Sequence, residues 1–485
     1  MKTKLLLSTI VTLLMLAGIF FTGYINAQIV FQKHYGGIIQ DKGFHTEQTS
    51  DGGYIVAGQY TNLAYQGQAI LLKANPSGDS IWSKTYGTTY GAPFNCVRKT
   101  TDGCYIACGT NYVSYLNSKW YLVKTTDVGD TVWTKNFGGG GQNQSYYVEP
   151  TTDGGYILGG FTQNMNTGDQ ISLVIKTDAQ GDSLWSKVIN NTQFNHIVEC
   201  VRQTTDGGYV LTGVDQTLSG SGASLVKLDS TGAISWAKQY GTLGYGKSVI
   251  QTTDGGYILT GRNTPDLYIV KTYPNGDSIW TKSYIAMGSG GSGQDIFGSS
   301  IQSTTDGGYI IGGYSMYQMY WPQMYLFKTT STGDSLWAKA FGSTTGACEA
   351  RGYGAQQTTD GGYVLCGETT NPSYGNSDIY LIKTDSSGNI ITGIADGDPF
   401  VNGEILIYPN PFNNFTTIKI KYEELKNQTL EFVMYDLLGR EIKHQQFAIG
   451  KHEFVVEKGN LQTGMYFYKI KSNEKSIATG NLIIE

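Results

Sequence analysis

The phrase Asp-Gly-Gly-Tyr, or a one-residue variant of it, occurs seven times, at Asp51, Asp102, Asp153, Asp206, Asp254, Asp306 and Asp360. The copies are 48 to 54 residues apart. A near-constant period of this size restricts the chain to a solenoid, an array or a propeller, because each unit buries its apolar faces against its neighbours. One unit can be read from residues 248–284. SVIQ (248–251) is a short apolar strand, and TTDG (252–255) is a turn in which Asp-Gly supplies the left-handed geometry that a hairpin needs. YILTG (257–261) and LYIVKT (267–272) are second and third strands. PNGD (274–277) turns into a fourth, SIWTKSY (278–284). Four strands in a meander make one propeller blade.

The fourth-strand signature Trp-x-Lys appears at Trp82, Trp133, Trp185, Trp236, Trp280 and Trp337. The seventh repeat lacks it, but IVFQKHYGG (29–37) aligns with the fourth strand of the first repeat. Phe31 falls on Trp82, Lys33 on Lys84 and Tyr35 on Tyr86. The expected fold class is therefore all-β: a seven-bladed β-propeller whose N-terminal strand closes the last blade, followed by a small C-terminal β-sandwich. Ring closure removes exposed sheet edges. The competing count is six full blades and an imperfect seventh.

Lys2 and Lys4, an apolar run over 5–21 and the small residue Ala27 before Gln28 predict a signal peptide over 1–27; the alternative is an uncleaved anchor. No later stretch approaches the ~20 apolar residues of a membrane helix, so no transmembrane segment is expected in the mature chain. The propeller is expected over 28–395 and a linker over 396–403. From 404 to 485 the texture changes to alternating strands at 416–422, 429–436, 453–457 and 464–471, as in a small sandwich.

Composition bears on function mainly by exclusion. Thirty-four basic against 39 acidic residues leave no basic excess, so no nucleic-acid partner is expected. The 65 Gly, 35 Tyr and 10 Pro suit short strands and tight turns and exclude collagen. Six Cys without a CxxC signal neither a zinc ribbon nor a redox motif. No HExxH, GxSxG or P-loop occurs. No metal, cofactor or catalytic residue is assigned, and an enzyme is the less favoured expectation.

The repeat resembles the quinoprotein-like propeller repeats, on residues of the type Gly333-Asp334-Ser335-Leu336-Trp337. The resemblance implies the fold over about 28–395 and no activity. At the other end stand Tyr408-Pro409-Asn410-Pro411-Phe412, Tyr435-Asp436-Leu437-Leu438-Gly439-Arg440-Glu441, Gly464-Met465-Tyr466 and Gly480-Asn481-Leu482-Ile483-Ile484. These four motifs, in order, resemble the C-terminal sorting domain of type IX secretion cargo from Bacteroidota; Asn481 stands where that family usually has Lys. The resemblance implies contact with the type IX machinery and its sortase-like peptidase. It further implies removal of this domain and release or attachment at the outer cell surface.

Several regularities invite a functional reading. The seven Asp-Gly turns could be calcium ligands, but turn-building explains them and no loop carries an EF-hand's set of carboxylates. Lys recurs at the end of strand three (Lys73, Lys124, Lys176, Lys227, Lys271, Lys328, Lys383) and two places after each fourth-strand aromatic. The expectation is solvated Lys that guard strand edges, with a polyanion-binding face as the sharper alternative. The repeated Trp are expected to pack between blades. Thr125-x-Asp127-x-Gly129 begins an Asp-box, but Trp133 lies one place too far. Cys96 and Cys108 flank the turn at Asp102 and could face each other as a disulfide; two buried small residues are the alternative.

Turns 1–2 and 3–4 are short and near-constant and share one face. Loops 2–3 and 4–1 vary and share the other, where binding usually resides. The run Tyr314 to Trp321 is the most aromatic of these loops. Tyr317, Tyr320, Trp321, Tyr90, Asp295 and Glu349 are the ligand-binding candidates, since aromatics with polar tips stack on sugars or pack on peptides. The expected function is a secreted or surface-attached binding or adhesion module for a glycan or protein ligand. The alternative is an extracellular glycosidase or lyase with carboxylates at the channel mouth.

Overall fold

A computed structural model describes residues 28–484, apart from 38, 63–66, 88–92, 115, 190–194, 218–219, 243, 285–293, 318–321, 343–348, 371–376, 391–403, 422–428, 437–439, 448–452 and 473–474. The expected signal segment and linker lie outside the described residues. Every regular element among the described residues is a β-strand. Seven four-stranded antiparallel sheets form the propeller. Their innermost strands are Lys42–Gln48, Phe94–Lys99, Asn143–Pro150, Asn195–Gln203, Gly244–Gln251, Gln294–Ser303 and Ala350–Gln357, which define blades 1 to 7.

Blades 1 to 6 are uninterrupted meanders, and the unit read over 248–284 falls on Gly244–Gln251, Tyr257–Asn263, Asp266–Thr272 and Ser278–Tyr284. Blade 7 is completed by Phe31–Tyr35, which pairs with Ser377–Thr384. Its register places Phe31 opposite Lys383, as Trp82 stands opposite Lys73 in blade 1. The N-terminal strand thus closes the ring.

Each fourth-strand aromatic clamps the next blade. The Trp82 ring rests on Gly129, where a Cβ would lie only 2.8 Å from it, and Trp133, Trp185, Trp236, Trp280 and Trp337 meet Gly181, Gly232, Gly276, Gly333 and Gly388 alike. Phe31 meets Gly78. These glycines have φ near +80°, so turn geometry and close approach both demand Gly. Tyr86 Oη donates to the Gly129 carbonyl at 2.7 Å, and Tyr35, Tyr240 and Tyr284 repeat this bond on Gly78, Gly276 and Gly333.

The strand-three lysines are not solvated, which corrects the expectation above. Lys328 is 2% exposed and Lys383 1%. Each such Lys bonds the Asp of its own DGG turn: Lys73 Nζ lies 2.7 Å from Asp51 Oδ2 and also donates to Thr49 Oγ1 at 2.8 Å. The Asp51 carboxylate further accepts the Gly53 N–H at 3.0 Å. The second Gly is needed because a Cβ at Gly53 would lie 2.3 Å from the Ala74 carbonyl and 2.8 Å from Lys73 Nζ. In blade 2 this position is Cys104, and its partner Lys124 is displaced to 13% side-chain exposure against 1–8% for the other six. A Thr-Asp-Gly-Gly turn is therefore an internal ion-pair staple. The fourth-strand lysines bind the next blade's turn, as in Lys84–Asp130 at 2.6 Å and Lys135–Asp182 at 2.5 Å.

The C-terminal region has a three-stranded sheet (Glu404–Tyr408, Phe415–Lys421, Glu453–Glu457) and a four-stranded one (Glu441–Phe447, Leu430–Tyr435, Gly464–Ser472, Lys475–Ile484). Ile418, Phe454 and Val456 of the first pack with Phe432, Tyr468 and Leu482 of the second in one core, as in a β-sandwich.

Candidate functional site

The seven innermost strands share one irregularity. Each carries a β-bulge at the same repeat position, seven residues before its DGG Asp. The unpaired residues are Phe44, Asn95, Tyr146, Glu199, Lys247, Ser299 and Tyr353. All seven line one cavity of about 510 Å³ inside the ring. A bulge leaves a residue without a ladder partner and re-aims its side chain. The signal is in the sequence all the same: between near-constant turns, one position reads Phe, Asn, Tyr, Glu, Lys, Ser, Tyr.

The bulges sit near the start of their strands, beside the 4–1 loops. Around this level runs an arc of rings and cations. Phe44 meets Tyr353 at 5.4 Å between centroids, Tyr353 meets Tyr314 at 6.1 Å, and Tyr314 stacks on Phe297 at 4.5 Å. Arg262 lies 4.4 Å over Phe297. Lys247 Nζ lies 5.8 Å from the Tyr245 ring and 5.9 Å from Tyr146, and it pairs with Glu199 at 2.7 Å. Tyr353 Oη donates to Glu368 at 2.9 Å, which fixes its ring.

Three residues further along the strands, roughly 10 Å deeper at ~3.3 Å per residue, the lining changes character. One repeat position in blades 1 to 4 holds Glu47, Arg98, Glu149 and Arg202, with signs alternating, and of these the two arginines line the cavity. Arg98 Nε lies 3.7 Å from Glu47, and Arg202 Nη1 lies 3.1 Å from Glu149. The Arg202 guanidinium is 5.3 Å from the Tyr147 ring centroid, which His45 meets edge-on at 6.1 Å. Burial opposes the charge of both arginines, and Tyr147, Glu47 and Glu149 outweigh it for Arg98, as Tyr147 and Glu149 do for Arg202, so both remain cationic. Burial, reinforced by Arg98 and Arg202, pushes His45 down to about 3, so its imidazole is neutral. His45 Nδ1, Arg98 Nε, Tyr147 Oη, Glu149 Oε2 and Arg202 Nε are all buried without a hydrogen-bond partner.

Of the sequence candidates, Asp295 pairs with Arg262 at 2.6 Å and Glu349 with Arg351 at 3.2 Å. Arg351 also reaches Glu368 at 3.4 Å. Asp295 and Glu349 thus stand at the two ends of the arc that Phe297, Tyr314 and Tyr353 bridge. Tyr90, Tyr320 and Trp321 lie outside the described residues, as does the Tyr317 side chain. Cys96 and Cys108 are ladder partners, both buried and both free thiols. Burial raises the Cys96 thiol to about 12, which removes it from thiolate chemistry at neutral pH.

In the sandwich, three of the four sorting motifs converge. Asn410 Oδ1 accepts the Ile483 N–H at 2.8 Å, and the Phe412 N–H donates to the Ile483 carbonyl at 2.9 Å, between Pro409–Pro411 and the last strand. Gly464 and Tyr466 face Ile484 and Leu482 across the final ladder. Gly439 lies outside the described residues.

The protein is a seven-bladed β-propeller by architecture. Residues 406–485 match the secretion system C-terminal sorting domain. The chain therefore carries a type IX sorting domain, which engages the secretion machinery and directs export to the cell surface or extracellular space. No curated protein matches the chain. Among solved structures it is similar to the WD40 domain of Neurospora crassa Pan2 (9% identity, 70% of this chain and 88% of that one, TM-score 0.44). It is also similar to a Lactobacillus plantarum protein (12%, 70% and 94%, TM-score 0.43). A protein of unknown function from Bacteroides caccae is a third (11%, 62% and 94%, TM-score 0.37). None of these likenesses bears on activity. No helix among the described residues is long and apolar enough to cross a membrane.

Proposed function

We propose that the exported propeller is a binding or adhesion module that takes its ligand into the central channel from the variable-loop side. The observation that carries this reading is the ring of seven bulges. The fold repeats its framework residue for residue yet diversifies the one position that each bulge turns into the cavity. Rings with polar tips or cationic neighbours suit a sugar or a peptide side chain.

A glycosidase or lyase needs carboxylates free to move a proton. Glu199 is held by Lys247, Asp295 by Arg262, and Glu349 and Glu368 by Arg351, which favours binding over turnover. The test is a panel of glycans and peptides offered to the full chain and to Tyr146→Ala, alongside a glycosidase and lyase panel. Retention of a ligand that Tyr146→Ala weakens at least fivefold is expected. Turnover abolished by Asp295→Asn or Glu349→Gln would overturn the reading.

A further inference from the structure

The deep tier of the channel is chemically incomplete. Two guanidiniums offer ten N–H donors, since each carries five. The Arg98 guanidinium donates no hydrogen bond to a described residue, and its nearest carboxylate, Glu47, lies at 3.7 Å and already accepts the Lys99 N–H at 3.0 Å. Arg202 has Glu149 at 3.1 Å and the Cys200 thiol. Tyr147, 8% exposed, keeps an unpartnered hydroxyl beside them. Buried donors without partners cost free energy comparable to a lost hydrogen bond, and charged ones cost more. Both arginines line the cavity and retain 19% and 12% of their side-chain exposure.

The cavity is also two-tiered. The bulge level and the residues beside it contribute Phe44, Tyr146, Tyr245, Phe297, Tyr314 and Tyr353, and the deeper level contributes Arg98 and Arg202. Lys247 and Glu199 pair at the bulge level, and at the deeper level the two guanidiniums line the space while their carboxylate neighbours, Glu47 and Glu149, do not.

Resting on the channel-binding reading above, we infer that the channel is specific for carboxylated sugars: the aromatic tier stacks on one ring of an acidic oligosaccharide, and Arg98 and Arg202 take a carboxylate of the residue that reaches the deeper level. Guanidinium forks match carboxylates in plane and charge. The His45 imidazole, held neutral by burial and by the charges of Arg98 and Arg202, lines the same space without adding charge. A peptide side chain could supply the carboxylate, but it would leave the stacking arc unused.

The test is calorimetric titration of the full chain at pH 7 with short oligomers of galacturonate, of alginate and of hyaluronan, each beside its carboxyl-methylated counterpart, and with a poly-glutamate peptide. Binding of at least one acid oligomer is expected, at least tenfold tighter than its methyl ester. Arg98→Gln and Arg202→Gln should each weaken it at least tenfold, while circular dichroism reports an unchanged fold. Arg202→Lys keeps the charge without the fork and should recover part of the loss; it also guards against a variant that fails to fold. Equal affinity for acid and ester, or binding of neutral glycans alone, would overturn the acid specificity and leave the channel reading standing. Binding of poly-glutamate without any acid oligomer would overturn it in favour of a peptide. No binding by any probe would overturn both.

Discussion

At the level of single residues, a glycine's role depends on what its missing Cβ would touch. Gly129 and Gly103 both have φ near +80°, but a Cβ at Gly129 meets the Trp82 ring at 2.8 Å, while at Gly103 nothing lies within 4 Å. Gly103→Ala should therefore lose only the left-handed backbone term, about 1 kcal/mol. Gly129→Ala should lose a further ~1–3 kcal/mol from overpacking the blade junction. Urea denaturation of the two variants checks the order; equal losses would refute the clamp. The staple aspartates give a second prediction. Partial burial raises the Asp51 carboxyl, but the bonds from Lys73, Thr49 Oγ1 and the Gly53 N–H outweigh it and bring it to about 2. Asp102, Asp153, Asp206, Asp254 and Asp306 are likewise at about 2. Folded values below the unfolded ~3.9 mean that the stabilisation is complete above about pH 4 and is lost as pH falls toward 2. The melting temperature should drop steeply below pH 4. A flat profile down to pH 2 would contradict the staples. The sequence showed these lysines as a regular feature, but their direction was hidden. A Lys at a strand end is solvated by default, and only the first turn of its own blade, 17 to 23 residues away, supplies the carboxylate that lets it be buried.

The strands themselves were legible because each blade writes its period and turns openly. Ser278–Tyr284 and Glu453–Glu457 fall where the apolar pattern placed them. Glu404–Tyr408, Glu441–Phe447 and Lys475–Ile484 were missed, because no flanking repeat marks their ends. The bulges were missed for a different reason: an extra residue within a strand leaves the alternation of the strand visible and shows only in the ladder. The closing strand carries its own prediction. Gly36, just after Tyr35, sits against the carboxylates of Asp378 and Asp41, which are 5% and 1% exposed. Burial, then the charge of Asp41, raises Asp378 to about 6. A folded value above the unfolded ~3.9 means that the ionised form costs stability, fully above pH 6 and not at all below about 4. Asp378→Asn should raise the melting temperature at pH 8 by the equivalent of about 1–3 kcal/mol, with little change at pH 4. An unchanged or lowered melting temperature at pH 8 would show that the pair does not strain the seam.

For the whole molecule, export and recognition sit in separate parts of the sequence. The sorting motifs are written in one contiguous region and could be read directly, and three of the four converge on the last strand. The binding reading depends on residues from seven blades spread over some three hundred positions, which no local window joins. Asp295 and Glu349 were legible as polar residues on the variable face. The channel to which they form a rim was not, because the ring must close before blades 5, 6 and 7 become neighbours of the same space. The measurement that tests the account most directly is the affinity of the full chain for its best glycan on an array, compared with Phe44→Ala and Tyr146→Ala, which stand on different blades of the same bulge ring. The account predicts a clear glycan signal that each substitution reduces at least fivefold at unchanged melting temperature. A glycan signal that neither substitution alters, or no signal on glycan and peptide arrays alike, would contradict it.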